Sequence, residues 1–450
     1  MNVAQIRQVG KGVRGYLAEF ADCFGRCDTR AYLEVYVRGQ TSNLQRKSVE
    51  RMALRAKVPP RSLQAYLEFL SWDEQRMVDR LQEIVVRDHS DPHAIGTVDE
   101  TGIPKKGDHT AGVQHQWCGR TGKVDHCVVS VHLGYAVGDF HCLLDSDVFL
   151  PERWANDPKR RQKAHIPDEV RYRSKPQIAM DQIRRALANG VRVASWTFDE
   201  NYGNCYWFLD ELDRMGQTYV AEVPRDFYGW ALYPKIIHRP PPQLAHRGGR
   251  KGRFPRLAKT ARRPSKVEDL LRHSRAFTSQ PWTPIHIKDG EKGPLVREVK
   301  AIAFYMQRSG LPTRPHWLIA ARNPEEPQVI KFFVSNADPG VPLEWVVYVA
   351  YSRWPIERCF QEDKDRLGLD HFEVRGWGTI HRHMYLTQLS HLYLSRTRLR
   401  LRAQEKQEQQ DGVFSLPSPR GRSAWVFGRE PDPLPDSRRP GGVPGGLAVG

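Results

Sequence analysis

Residues 94–104 read AIGTVDETGIP, and at this stretch the hydrophobic pattern of the chain changes from a helical to a strand-like period. Before it, apolar residues recur at intervals of three and four, which is typical of amphipathic helices. After it, segments 111–119, 124–137 and 140–150 are strand-like, several of them separated by Gly or Asp turn signals. The sequence therefore predicts a meander of strands that begins at residue 94.

Beyond the meander the pattern alternates between helix and strand. Residues 175–190 and 206–216 predict helices. Residues 191–200 and 218–224 predict buried strands. A meander followed by such alternation indicates an α/β protein with a mixed sheet flanked by helices. The order of the elements resembles that of the ribonuclease-H-like fold, which implies a catalytic core of that kind.

The changes of pattern predict five parts of the chain. They are an N-terminal helical domain (1–90), the first part of the core (91–223), a basic loop with a β-rich insertion that returns to the core (224–340), C-terminal core helices (341–400) and a disordered tail (401–450). The N-terminal helices suit DNA binding but equally suit a plain helical cap. The loop 238–266 is rich in Pro, Gly, Arg and Lys and contains no acidic residue.

The composition favours a polyanionic partner. The 450 residues include 69 Lys and Arg against 52 Asp and Glu, for a formal net charge of +17. Clustered cations bind phosphate backbones by releasing counterions, although excess charge can also serve solubility alone. Seven cysteines form neither an even disulfide framework nor paired CxxC motifs, which is typical of a reducing cytosol. With no apolar run of about 20 residues and no signal peptide, we expect a cytoplasmic protein without a membrane partner.

Three acidic residues are candidates for the chemistry. Asp99 lies in GTVDETG at the end of a predicted strand before a Gly turn, and Asp199 lies in ASWTFDENYG, also at a strand end. Glu357 lies in RWPIERCFQEDK (353–364), where helical spacing puts Arg353 and Lys364 on the same face. The alternatives are ordinary turn aspartates and a solvated ladder of helical ion pairs.

If the three acids converge, they make an oxygen-only site for Mg²⁺ or Mn²⁺. Two such ions about 4 Å apart activate an attacking oxygen and neutralise a leaving one in phosphoryl transfer, the chemistry of cutting and joining DNA. Arg353 and Lys364 would then bind phosphates on either side of the acids.

The chain carries a series of motifs, GTVDETGIPKKG, GVQHQWCGRTGKVDHC, FLPERWANDPKRRQKAHIP, TFDENYG and RWPIERCFQEDKDRLGLDHFEVRGW. Over roughly residues 20 to 395 this series resembles the insertion-sequence DDE transposases, specifically insertion-sequence family seven-zero-one, a relative of the family-four group. The resemblance implies that Asp99, Asp199 and Glu357 bind two catalytic metal ions.

The family-four signature is Tyr, two residues, Arg, three residues, Glu, six residues, Lys. Arg353, Glu357 and Lys364 match its spacing, whereas Ala350 occupies the position of the tyrosine. Tyr351, one residue late, is the candidate phosphate contact that the resemblance implies. Pro355 would kink the predicted helix beside it.

Further candidate DNA contacts lie outside this signature. The insertion resembles one in related transposases where an aromatic residue stabilises a base turned out of the stack, which makes Trp282 a candidate, although such a Trp is more often a core residue. Lys105 and Lys106 follow Asp99 closely and are candidates for phosphate contacts, with surface solvation as the alternative.

The sequence thus predicts a DNA transposase that cleaves and joins strands of an insertion-sequence element. The expected partners are its terminal inverted repeats and target DNA, with a homodimer on DNA in the nucleoid. The alternatives are a catalytically inactive, transposase-derived DNA-binding protein and a structure-specific nuclease with the same core. A glycosidase is disfavoured because a sugar substrate would not require so basic a chain.

Overall fold

The computed structural model describes residues 12–239, 254–290 and 293–414. The chain divides into a compact unit, Met1–Leu401, and a second unit, Arg402–Gly450. Part of the predicted basic loop and residues 415–450 of the predicted tail lie outside the described residues. Residues 401–414, predicted as the start of a disordered tail, are instead helical, because the helix that begins at Trp377 continues to Phe414. Among the described residues, none of the helices has both the length and the apolar content of a membrane span.

The helices surround a large sheet. Those before its first strand include α1 (Cys27–Gln40), α2 (Val49–Ala56), α3 (Pro60–Glu68) and α4 (Glu74–His89). Those between strands are α5 (Glu152–Ala155), α6 (Pro158–Lys163), α7 (Lys175–Ala188), α8 (Glu200–Gly203), α9 (Tyr206–Arg214), α10 (Val267–His273) and α11 (Arg275–Thr278). The last strand is followed by α12 (Leu343–Ala350), α13 (Trp354–Glu362) and α14 (Trp377–Phe414).

The N-terminal helices pack against α14. The Tyr36 hydroxyl lies 2.7 Å from His383 Nδ1, and Gln40 Nε2 donates to Thr387 Oγ1 at 2.8 Å, both within a buried interface. The apolar repeat over residues 61–85 forms α3 and α4 rather than one helix. Asp73 begins the second of them, because its carboxylate accepts the backbone N–H of residue 76 at 2.8 Å.

The strands follow the predicted change of pattern. They are β1 (Ile95–Pro104), β2 (Gln114–Cys118), β3 (Lys123–Val137), β4 (Phe140–Val148), β5 (Ser195–Phe198), β6 (Tyr219–Val223), β7 (Tyr228–Trp230), β8 (Ile236–Ile237), β9 (Arg256–Leu257), β10 (Ser265–Lys266), β11 (Thr283–Gly290), β12 (Gly293–Arg308), β13 (Leu311–Asn323) and β14 (Glu326–Ser335). The predicted mixed sheet flanked by helices is confirmed.

The sheet is antiparallel on one side of β1 and parallel on the other. β3 lies between β1 and β4 and is antiparallel to both, whereas β5 and β6 run parallel to β1 in the order β1-β5-β6. β14 then pairs with β6, and the sheet continues through β13, β12, β7 and β10. The long segment between β6 and α12 therefore extends the same sheet. α13 returns from this extension to pack on β1, β3 and β4.

Candidate active site

Asp99 and Asp199 lie side by side on neighbouring parallel strands. Val98 pairs with Phe198, so the two aspartates are the next residues in register. Adjacent strands are about 4.8 Å apart, which puts both carboxyl groups at one place on the sheet. The two acids are 100 positions apart in the sequence, and the β1–β5 pairing unites them.

Asp99 lies within its strand, whereas the glycine motif had predicted a strand end and a turn. β1 continues to Pro104 because β3 pairs with it along this whole length. Gly102 makes no turn. A Cβ at this position would come within 2.9 Å of Cys118 Sγ, so the absence of a side chain allows β2 to pack close to β1. The strand that ends next to Asp99 is β5, whose last residue is Phe198. Its end leaves room for the loop that carries Asp199.

Asp199 is the N-cap of the short helix α8. Its Oδ1 accepts the backbone N–H of Asn201 and its Oδ2 accepts the Asn201 side-chain amide, both at 3.0 Å. Gly203 in the same turn lies against β6, where a Cβ would be 1.9 Å from the carbonyl oxygen of Glu222. The capping bonds and this close approach fix the direction of the Asp199 carboxylate.

Glu357 comes from α13, which begins at Trp354. The sequence had predicted one helix through this region, with a kink at Pro355. In the structure α12 ends at Ala350, and Pro355 lies in the first turn of the next helix, where its missing N–H costs no hydrogen bond. Ile356 is fully buried and packs against Gly134 of β3, so the adjacent Glu357 is held at the sheet edge.

Arg353 joins the acids into one cluster. Its guanidinium lies 3.9 Å from Asp199 Oδ2 and 3.4 Å from Glu357 Oε1. Burial by itself lowers the pKa of Arg353, but Asp99, Asp199 and Glu357 together raise it above its ordinary value. Among the described residues, Arg353 Nη1 is buried without a hydrogen-bond partner. One cation therefore stands among three carboxylates.

The surroundings of the Asp99 carboxyl group strongly change its pKa. Burial raises its pKa to about 7; Arg353 opposes this rise, and Asp199 and Glu357 add to it. The backbone N–H of Glu100 donates to Asp99 Oδ1 at 2.7 Å. Carboxylates that repel one another at one place are a fitting set of ligands for a hard dication such as Mg²⁺ or Mn²⁺, whose charge would relieve the repulsion.

Lys364 does not continue the helix that carries Glu357. It lies in a π turn, Asp363–Leu367, after the end of α13, so Arg353, Glu357 and Lys364 do not share the face of one regular helix. Lys364 Nζ donates to Thr101 Oγ1 at 2.6 Å, two residues beyond Asp99 on β1. Burial lowers the pKa of Lys364. Nothing in the sequence pointed to Thr101.

The remaining candidate DNA contacts lie in varied surroundings. Lys105 donates to the carbonyl oxygen of Phe372 at 2.7 Å, and burial lowers the pKa of this lysine to about 8, whereas Lys106 is exposed. Tyr351 is partly buried after the end of α12, with the Arg297 guanidinium 5.2 Å from its ring centre.

Trp282 lies just before β11 and is partly buried against the main core. The guanidinium of Arg322 stands 4.1 Å from its ring centre and the amine of Lys300 5.2 Å. The ring thus lies against two cations of neighbouring strands, a favourable cation–π arrangement.

Comparison with known proteins finds one family and one curated relative. Residues 19–294 match the model of the family described as "DDE superfamily endonuclease", a region that contains Asp99 and Asp199 and ends before Glu357. A "Probable transposase for insertion sequence element IS701" from Microchaete diplosiphon is 28% identical over 200 residues, which is 44% of this chain and 49% of that protein. The chain thus spans about half the length of this curated relative. Because the family model covers more than half of the chain, the protein belongs to the DDE superfamily endonucleases.

Proposed function

We propose that the protein is an insertion-sequence transposase that cleaves DNA at the ends of an element and joins the freed 3′ ends to target DNA. The observation that carries this proposal is the convergence of Asp99, Asp199 and Glu357 around Arg353 at one edge of the sheet. Membership of the DDE endonucleases and the similarity to a probable transposase support it.

The catalytic core in this proposal is ribonuclease-H-like. The order β4-β3-β1-β5-β6, with two antiparallel and two parallel pairings, supports it. So does the position of the acids, one on the central strand, one after its parallel neighbour and one on a later helix. The strands β7–β14 form the β-rich insertion, and the first four predicted parts of the chain, with the last of them extended along α14, remain our proposal for its domains.

The proposed cofactor is a pair of Mg²⁺ or Mn²⁺ ions held by Asp99, Asp199 and Glu357. When bound, the ions activate the attacking oxygen and neutralise the leaving oxygen of the scissile phosphate. Arg353 is within reach of both the acids and a phosphate at this edge, so its guanidinium balances the acids in the free protein and binds substrate in the complex. Lys364, fixed by Thr101, positions the phosphate on the other side.

The proposed substrates are the terminal inverted repeats of the element and its target DNA. The net charge of +17 supports a polyanionic partner, and Tyr351, Trp282, Lys105 and Lys106 are proposed to contribute contacts. Transposition requires two ends held together, so we propose a homodimer on DNA in the bacterial cytosol.

Substitution of Glu357 by Gln tests the catalytic proposal. The amide keeps the size of the side chain and one oxygen but loses the charge that a metal ligand needs, so cleavage of element-end DNA in Mg²⁺ should fall by at least about 1,000-fold while DNA binding remains. Cleavage and joining are scored on gels and binding by mobility shift. Glu344→Gln, at an exposed position on the preceding helix, is the control and should cleave like the wild type.

The same assay separates the two rival functions. A structure-specific nuclease would cut without joining, and a DNA-binding protein without activity would do neither. If Glu357→Gln cleaves at the wild-type rate, the acid cluster is not the catalytic site.

A further inference from the structure

A second cluster of ligating side chains lies on the opposite side of α13 from Glu357. It consists of His141 from β4, Cys359 from α13 and His391 from α14, all three buried. One nitrogen or sulfur atom of each residue lies within 4.8 Å of the others. Cys359 follows Glu357 by two positions, which is about 200° around a helix, so the two side chains point away from each other.

The separation of the three atoms suits a small cation after a slight contraction. Three atoms no more than 4.8 Å apart lie at most about 2.8 Å from a common centre, whereas zinc binds sulfur at about 2.3 Å and imidazole nitrogen at about 2.1 Å. A shift of at most about 0.5–0.7 Å in each side chain would bring the three atoms to these distances. One thiolate with two imidazoles is a donor set that selects zinc rather than magnesium.

The neighbouring carboxylate of Asp363 orients one of the histidines. His391 Nδ1 lies 2.6 Å from Asp363 Oδ1, while Nε2 of the same ring is buried without a hydrogen-bond partner among the described residues. A carboxylate on one nitrogen and a free second nitrogen is the usual arrangement of a zinc-binding histidine. Asp363 is itself fully buried, and its Oδ2 also lacks a partner.

Charged side chains also surround the cluster, and the guanidinium of Arg398 lies 3.2 Å from His141 Nδ1. Glu362, which lies 3.5 Å from His141, is already paired with Arg358 at 3.0 Å and with Arg398 at 3.2 Å. The carboxylate of Asp363 and a thiolate at Cys359 are left as two negative charges for the metal. Binding would release the Cys359 thiol proton to solvent, and also the proton on His391 Nε2, because burial, which lowers the pKa of His391, is outweighed by Asp363 and Cys359, which raise it well above its ordinary value.

We propose that His141, Cys359 and His391 bind one structural Zn²⁺ ion that joins β4, the helix carrying Glu357 and the long C-terminal helix. Such an ion fixes the side of α13 that lies opposite Glu357, and so it fixes the orientation of the helix that carries Glu357. This site is distinct from the carboxylate cluster in position and in donor type, and it does not depend on the proposed transposase activity.

Metal analysis of the full-length protein tests this inference. After dialysis into metal-free buffer and titration with Zn²⁺ alone, elemental analysis should find one zinc per chain. Cys359→Ser and His391→Asn should each weaken binding by at least about 100-fold, since even loss of an outer partner costs about 10–100-fold, the effect expected for Asp363→Asn. His383→Asn, a buried histidine on the same helix, and Cys23→Ser, a buried thiol elsewhere, are the matched controls and should keep the zinc.

Cobalt gives a readout on the unmodified protein. One Co²⁺ per chain should produce a thiolate-to-metal charge-transfer band, and Zn²⁺ should displace the cobalt. Glu357→Gln should leave both unchanged. The inference is overturned if the wild type binds no zinc, if bound cobalt shows no thiolate band, or if His383→Asn loses the metal as Cys359→Ser does.

Discussion

At the scale of single residues, the position of Arg353 governs the electrostatics of the acid cluster. Its guanidinium is the partner of Glu357 and lies close to Asp199, and it opposes the rise in the pKa of Asp99. Like charges held together destabilise a fold unless a cation compensates them. The free protein therefore depends on this one side chain for the stability of its candidate active site.

Arg353→Gln should destabilise the metal-free protein at pH 8, by about 1–3 kcal/mol, because the acids lose their countercharge. Added Mg²⁺ should recover more stability in this variant than in the wild type, since the dication takes over the compensation. Thermal unfolding with and without Mg²⁺ measures both effects. Arg358→Gln, on the same helix but paired with Glu362, is the control; an equal Mg²⁺ response in the two variants would contradict the assignment.

Asp99→Asn should change the pH dependence of stability. The pKa of Asp99 is raised to about 7 in the folded protein, above its ordinary value of 3.8, so the folded state binds the proton more tightly than the unfolded state does. The stability that protonated Asp99 contributes to the wild type is therefore fully present below about pH 4 and is lost as the pH rises through about 7. The neutral amide of the Asp99→Asn variant does not titrate, so this variant does not lose stability in that pH range.

The Asn variant should accordingly gain about 1–3 kcal/mol on the wild type at pH 8 in metal-free buffer, and much less at pH 4. Chemical unfolding at the two pH values measures the difference. Asp181→Asn, an exposed change on α7, controls for general loss of charge. A gain that does not depend on pH would show that Asp99 titrates normally.

At the scale of elements, the contact between β1 and β5 is the one on which the site rests. Gly96 lies opposite Trp196, and a Cβ at Gly96 would come within 2.2 Å of the indole ring. Trp196 is fully buried, so it has little room to move. The two strands approach closely enough to place their aspartates together only because residue 96 has no side chain.

Gly96→Ala should therefore cost about 1–3 kcal/mol of stability through overpacking and should reduce cleavage as the strands separate. Denaturant unfolding and the cleavage assay give the two readouts. Gly119→Ala meets no atom within 4 Å and should be close to neutral in both. If the two variants behave alike, the close contact with the indole ring is not limiting.

The strands near the two aspartates and the helix of Glu357 were predictable because they depend on local pattern, whereas the role of the three acids came from the resemblance and stays a prediction. The alternation of the segments around Asp99 and Asp199 marks their strands, and the spacing around Glu357 marks a helix. The break between α12 and α13 was not predicted, because apolar spacing continues across it and Pro355 fits either a kink or a helix start.

The partners of side chains were much harder to predict than the elements. The sequence placed Arg353 beside a phosphate, yet the free protein holds it against its own acids, since these are the nearest unpaired charges. The cluster of His141, Cys359 and His391 had no signal at all. Its members come from three distant segments, and no spacing rule links ligands that meet only through the fold.

At the scale of the whole molecule, the excess of positive charge should dominate DNA affinity. Residues 240–253 lie outside the described residues and contain four basic residues and no acid, Arg247, Arg250, Lys251 and Arg253. Each phosphate contact contributes about 0.9 to the slope of log affinity against log salt concentration. Converting all four to Gln should lower the slope by up to about 3–4 units if the segment binds DNA.

Fluorescence titrations of duplex DNA at several salt concentrations measure this slope. The charge change leaves the length of the segment unaltered, so the pairing of β8 with β9 on either side of it is not disturbed. Cleavage of prebound DNA at low salt should persist, because the acid cluster is untouched. An unchanged slope would assign the four charges to solubility.

The long extension between β6 and α12 also sets when during synthesis the protein acquires its acid cluster. Asp99 and Glu357 are 258 positions apart, and the ribosome adds about 5–20 residues per second, so the second acid is made roughly 10–50 s after the first. A chain interrupted between Asp199 and Glu357 has both aspartates but lacks the helix that completes the cluster. Under the proposed function, truncated translation products of this kind would not cut the chromosome of the cell that makes them.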